Sequence, residues 1–189
     1  FNLIESMQKP VIAAVEGVAL GGGCELAMAC HLRVGDARSV LGQPEINLFL
    51  PPGYGGTQRL PRLLREAGPE TGVTLALQLL LSGRQIDGAR AKEIGLLDVL
   101  ATGAARVLPL AQQMARQAVV ERSGAAWNAM QRRHDAVGEW RKRGAFDASW
   151  LHDAYLDTCI AAARSAGRGV VAEAIVGLVR QGFEQGYAG

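Results

Sequence analysis

Up to about residue 100 the chain sets short apolar runs against glycine-rich breaks; beyond that point apolar residues recur at helical spacing. Val11 to Val15 (VIAAV) is short, partly β-branched and bounded by Pro10 and Gly17, the pattern of a buried strand. His31 to Val34 and Ser39 to Leu41 are weaker strands of the same kind. Gly22 to Cys30 reads as a helix entered through a glycine turn. Gly55 to Arg65 predicts a helix whose second half Pro61 would disturb. A further helix should cover Glu70 to Leu81 and close at Ser82-Gly83. Asp87 is placed to cap a short helix, with Gly95 where a left-handed C-terminal cap belongs. Strand, loop and helix therefore alternate, which is an α/β pattern.

The remainder reads as helices. Pro109 suits the first turn of one running to about Val120. Trp127, Met130, His134 and Val137 make one stripe at i, i+3, i+7 and i+10, in which His134 reads as a core histidine. Asp147 can cap a third helix with Trp150, Leu151, Tyr155 and Cys159, while Val171, Ile175, Leu178 and Val179 mark a fourth. Neither an internal repeat nor a linker long enough to separate domains is visible.

Composition narrows the classes. The 189 residues are 49% hydrophobic and 20% charged, enough for a sizeable core and too apolar for disorder. A formal net charge of +2 gives no electrostatic case for nucleic acid. Cys24, Cys30 and Cys159 form no CxxC pair, so neither a disulfide scaffold nor a zinc site is expected, and a reducing cytoplasm fits best. The longest apolar stretch, Val11 to Cys30, is broken by Glu16, Glu25 and three glycines, so neither a membrane span nor a signal peptide is expected. The chain starts Phe1-Asn2-Leu3, without methionine.

The most informative stretch is Ala19-Leu20-Gly21-Gly22-Gly23-Cys24-Glu25-Leu26. Three glycines between a strand and a helix let the backbone approach a ligand, and amides at a helix N-terminus suit an anion or a developing oxyanion. A phosphate loop is excluded, because the chain has neither GxxxxGK[ST] nor GxGxxG with a later acidic residue. A tight strand-to-helix turn would by itself explain the glycines as well. Glu25 stands beside them in apolar company, where plain capping of the helix dipole is the simpler alternative. Glu45 is also flanked by apolar residues, in Leu41-Gly42-Gln43-Pro44-Glu45-Ile46, just before the loop Pro51-Pro52-Gly53-Tyr54-Gly55-Gly56. Two such carboxylates beside an amide-rich turn are the elements of an acid–base pair, since burial raises at least one pKa toward neutrality. Glycoside hydrolysis also uses paired carboxylates, but the few aromatics (4 Phe, 3 Trp, 3 Tyr) stand away from Glu25. Chemistry on a carbonyl, with charge gathering on its oxygen, fits better.

Lys9 to Gly17, Leu20 to Leu26, Gly42 to Ile46 and Pro52 to Leu60, in that order, resemble the enoyl-CoA hydratase/isomerase (crotonase) family; Ser82-Gly83 and Ala89 to Leu97 look like its following helices. The resemblance runs from residue 9 to about 100 and is weak beyond. It implies an α/β fold, a crotonase-like ββα superhelix with a helical C-terminal extension. Residues 1–105 would be a core lacking its N-terminal portion, and 106–189 an extension serving oligomerisation as a trimer or dimer of trimers. The Gly22 amide would be one donor of the oxyanion hole, and Gly21 before it would contact the substrate. Glu25 and Glu45 would hold a water between them, Glu25 as base toward the β-carbon and Glu45 delivering a proton to the α-carbon. Family isomerases usually keep only the glutamate matching Glu45, so retention of both favours hydration of an α,β-unsaturated acyl-CoA, or its reversal. No metal or redox cofactor is implied, CoA being a portion of the substrate.

Departures from the family pattern matter too. Glycine is usual at Phe49 and a small residue at Tyr54; with Gly53 they would border the acyl pocket and suit a short, flat or cyclic acyl group, unless Phe49 merely fills core. His31 replaces a usual aspartate and reads as structural. The resemblance also implies a preceding portion, absent from these residues, that would supply early strands, most of the adenine-nucleotide site and the second oxyanion amide. The usual basic C-terminal motif is missing; Arg180 and Arg141-Lys142-Arg143 are candidates for CoA phosphates but read first as solvated helix residues. Isomerase, hydrolase or C–C lyase chemistry on a CoA thioester is the alternative within the family, and an RNA-binding or structural member the remote one.

Overall fold

Gly17, with φ at 83°, turns the chain from β1 (Ile12–Val15) into β2 (Val18–Leu20), and those two strands go to different sheets. The computed structural model describes residues 1–67, 72–103, 106–140 and 153–186. After a short α1 (Asn2–Glu5) and the β1–β2 unit come α2 (Gly22–Ala29), β3 (Leu32–Gly35), β4 (Val40–Gly42) and a 3-10 helix, Pro44–Leu48. Then follow α3 (Gly56–Ala67), α4 (Gly72–Ser82), β5 (Gln85–Asp87), α5 (Gly88–Glu93) and β6 (Val99–Leu100). Four helices end the described chain: α6 (Val107–Glu121), α7 (Gly124–Trp140), α8 (Asp153–Ser165) and α9 (Gly169–Gln185).

One sheet has the order β1-β3-β6 and is parallel throughout, with Ala14 opposite Val34 and Val34 opposite Val99. The other has the order β2-β4-β5, parallel between β2 and β4 and antiparallel between β4 and β5. Each ββ unit thus gives one strand to each sheet, and a helix carries the chain on, as the expected ββα architecture requires. Leu32 and Val34, two apart on β3, pack with Val107, Ala111, Ala118, Ala126 and Ala129 of α6 and α7. The larger core joins α2, α3, α4 and α9 through Met28, Leu60, Leu77, Leu80, Ile175 and Phe183.

The expected strands and helices up to Leu81 appear within a residue or two of their predicted bounds, and α3 runs on through Pro61. Its buried Leu60, Leu63 and Leu64, with Arg59 and Arg62, hold turns on both sides of the proline. Asp87 caps α5 by accepting from the Arg90 N–H at 2.8 Å, and Gly95 has φ of 83°. β2, β5 and β6 are only two or three residues long, too short for a period to register. Asp147, Trp150, Leu151, the basic triplet 141–143 and the side chains of Tyr155 and Cys159 lie outside the described residues. The C-terminal helices pack on this same chain: Ile175, Val179 and Phe183 enter the larger core, and Arg62 donates to the Gly182 carbonyl at 2.7 Å. Among the described residues no helix is long and apolar enough to cross a membrane.

Candidate active site

The site is built where two parallel neighbours, β2 and β4, end. Gly21 follows β2, and its N–H continues the ladder by donating to the Gly42 carbonyl at 3.0 Å. Its φ of 53° and ψ of −125° suit glycine alone, and a Cβ there would stand 3.0 Å from Glu45 Oε1. Gly22 and Gly23 differ, because a Cβ on either would meet no heavy atom within 4 Å. Of these three, Gly21 alone is required to be glycine by the packing around it, and the space before the next two is open. Gly22 opens α2, so its N–H is one of the donors that helix geometry leaves pointing out of the N-terminus.

Glu25 lies one turn into α2 and is 1% exposed. The Tyr54 and Gly56 N–H groups both donate to its Oε1, at 2.8 and 2.7 Å. Two backbone donors on one oxygen fix the direction in which the carboxylate points. Glu25 stands in the first turn of α2, where an acidic residue complements the helix dipole, and its carboxylate also accepts from Tyr54 in the loop before α3 and from Gly56, the first residue of α3. Glu45 is held by the 3-10 helix that follows β4, started by Pro44, which is pre-organised for a first turn. Burial pushes the Glu45 carboxyl up from its ordinary value; a hydrogen bond within its own residue opposes this, and the nearby Glu25 charge adds to the rise. Its Oε2 is buried, and among the described residues no donor reaches it. An ionised carboxylate would find such a place costly.

Gly21, Gly22, Glu25 and Glu45 are thus brought together, and Tyr54 joins them through its backbone N–H rather than its ring. The Tyr54 ring is 70% exposed, stacked obliquely on Phe1 with centroids 5.6 Å apart. Phe49 is 62% exposed, so it does not fill core. A Cβ at Gly53 would meet nothing within 4 Å. His31 is buried, and among the described residues its ring bonds to backbone, accepting from the Val11 N–H at 2.9 Å and meeting the Glu5 carbonyl at 3.3 Å, a structural placement. His134 is only partly buried, and its Nε2 meets the Met7 carbonyl at 3.0 Å. Burial pushes the Cys24 thiol up to about 11, which keeps it protonated and unreactive beside the glutamates. A cavity of about 1080 Å³ opens elsewhere, at the carboxyl ends of β1, β3 and β6, and includes none of these residues.

Sequence reading passed over the groups that hold the site in shape. Gln43, buried, donates to the Gly21 carbonyl at 3.3 Å. Arg59, Glu5 and Arg133 are also buried and joined by ion pairs at 2.9 and 3.3 Å. An arginine amid the polar residues that open α3 gives no sign of burial; only the period of the helix, which puts Leu60, Leu63 and Leu64 inward, could have raised the question for Arg59.

The family model described as enoyl-CoA hydratase/isomerase matches residues 1–147. A probable enoyl-CoA hydratase of Bacillus subtilis (strain 168) is 47% identical over 112 residues, covering 59% of this chain and 41% of that protein. A crotonyl-CoA hydratase of Syntrophomonas wolfei is 52% identical over 98 residues, covering 52% and 35%. Less than half the length of either relative is therefore spanned. The structure of a carnitinyl-CoA dehydratase from Mycobacterium avium 104 superposes with a TM-score of 0.58 and 26% identity, covering 99% of this chain and 62% of that one. The chain belongs to the enoyl-CoA hydratase/isomerase family.

Proposed function

We propose that this chain hydrates the double bond of an α,β-unsaturated acyl-CoA thioester, or catalyses the reverse dehydration. The observation that carries the reading is the unequal treatment of the two carboxyls. Glu25 receives two amide donors, and Glu45 is pushed toward its neutral form beside it. That is the division of labour a base and an acid need. Glu25 takes a proton from water as its oxygen bonds to the β-carbon. Electrons of the double bond move toward the thioester oxygen, where the Gly22 N–H stabilises the enolate. Glu45 then gives its proton to the α-carbon, so H and OH have been added across the bond. Losing one oxyanion donor typically costs about 3 kcal/mol of barrier.

The open space before Gly22 and Gly23 supports a thioester lying against the start of α2. Phe49, Gly53 and Tyr54 border the acyl group in this reading, and their exposure on the turns after Glu45 supports that place. Assembly into a trimer or a dimer of trimers, a cytoplasmic setting and classification as a lyase belong to the same reading. The names of the hydratase and dehydratase relatives support the hydration step alone.

The test follows loss of conjugated-thioester absorbance with short, aromatic and cyclic enoyl-CoA substrates. Glu25→Gln and Glu45→Gln should each cut kcat by orders of magnitude while leaving thioester binding in place, because proton transfer is lost and the amides stay. Near-normal turnover in either variant would sink the two-carboxylate mechanism. The acid is lost as pH rises, so the alkaline limb of the rate profile should lie above the usual carboxylate range.

A further inference from the structure

Glu25 is only as well placed as the loop that donates to it, and the structure shows what holds that loop. The Tyr54 N–H belongs to one peptide unit and the Gly56 N–H to the next but one, and both reach Glu25 Oε1. The unit between them carries the Tyr54 carbonyl, which accepts from Arg59 at 2.7 Å. Arg59 is 1% exposed. It also grips both oxygens of Glu5, at 3.0 and 2.9 Å, and Asn2 Oδ1 at 2.9 Å, and lies 5.9 Å from the centre of the Phe1 ring. Glu5 in turn meets Arg133, which donates to the Met28 carbonyl at 2.9 Å, one turn beyond Glu25 on α2. One buried ion cluster thus anchors the donor loop on one side of Glu25 and its own helix on the other.

We propose that Arg59, fixed by Glu5, is a positioning residue for the acid–base chemistry. By clamping the Tyr54 carbonyl it keeps two flanking amides aimed at Glu25 Oε1. The proposal rests on Glu25 acting as the base in the reading above. Buried as it is, Arg59 acts through the loop. A planar guanidinium suits the task, because its five N–H donors serve a carboxylate, an amide oxygen and a carbonyl at once, whereas an ammonium is a single point charge. Small misplacements of a base matter, since about 1 Å can cost 100-fold in rate.

The experiment measures backbone amide hydrogen exchange by NMR in the 189-residue chain, its Arg59→Lys variant and Asn2→Ala, together with turnover of an enoyl-CoA thioester. Asn2→Ala removes one of Arg59's partners and leaves every charge in place, so it serves where Arg59→Lys fails to fold. Relative to the core amides of Leu77 and Leu80, exchange at Tyr54 and Gly56 should rise at least tenfold in Arg59→Lys, and in the same direction but less in Asn2→Ala. Arg59→Lys should lower kcat about 10- to 100-fold with KM kept within about twofold. In a Glu25→Gln background the same change should lower kcat no further. Unchanged relative exchange at Tyr54 and Gly56, or an undiminished loss in the Glu25→Gln background, overturns the proposal. If Glu25→Gln turns over an enoyl thioester as fast as the unsubstituted chain, the hydratase reading fails separately, and the exchange at Tyr54 and Gly56 still decides whether Arg59 holds the donors.

Discussion

Phe49 has φ of 58° at the end of the 3-10 helix that carries Glu45, where its N–H closes on the Ile46 carbonyl at 3.2 Å. An L side chain in that left-handed region costs roughly 1–2 kcal/mol, which gives a physical reason for the glycine that the family resemblance leads one to expect there. The ring is largely exposed, so little packing is lost on its removal. Phe49→Gly should therefore be about 1 kcal/mol more stable than Phe49→Ala, read as the higher midpoint in urea unfolding. Equal midpoints would show that the turn stores no strain there. Residue type alone marked Phe49 as a departure, but its backbone angle comes from the turn that Pro44 and Ile46 build, which no local pattern announces.

At the scale of elements, α3 is the keystone between the site and the C-terminal end. Its first residue, Gly56, donates to Glu25, while Gln58 donates to the Leu178 carbonyl at 2.7 Å and Arg62 to that of Gly182. Gln58 is held there, since its Oε1 accepts from Arg62 at 2.9 Å. A Cβ on Gly182 would fall 1.6 Å from that same Oε1. Gly182→Ala should accordingly destabilise the chain by about 1–3 kcal/mol, the usual cost of overpacking. In a Gln58→Ala background the cost should shrink, which guanidinium unfolding of the four proteins would measure. The apolar spacing of Val171, Ile175 and Val179 was legible as a helix; where that helix docks was not. A stripe states that a face is covered, and the identity of its cover is settled by packing with α3 and α4.

Across the whole molecule, His31 ties the N-terminal segment to the sheet. Its Nδ1 accepts from Val11, which leaves Nε2 to carry the hydrogen toward the Glu5 carbonyl, so the folded form holds the neutral ring. Burial, first of all, pushes its pKa down to about 4; the Glu5 carbonyl opposes this, and the neighbouring His134 and Arg133 charges add to the fall. The unfolded chain takes up a proton near pH 6.5 and the folded one only near 4. Its contribution is therefore complete above about pH 6.5 and is lost as pH falls to about 4, by at most about 3 kcal/mol. His31→Gln should flatten that region of the stability–pH curve, measured by urea unfolding at several pH values; an unchanged slope would contradict the assignment. What the sequence by itself determined was whatever neighbours along the chain can encode: the β1 strand, the α2 and α5 entries, and four motifs in family order with both glutamates. Only the tertiary structure decided how Glu25 is held, because its donors come from residues 29 and 31 positions away. It also decided that Glu5, Arg59 and Arg133 are buried rather than solvated, since their mutual partners lie 54 and 128 positions apart. A charge reads as surface until the fold brings its counter-charge to it, and periodicity carries no record of that meeting.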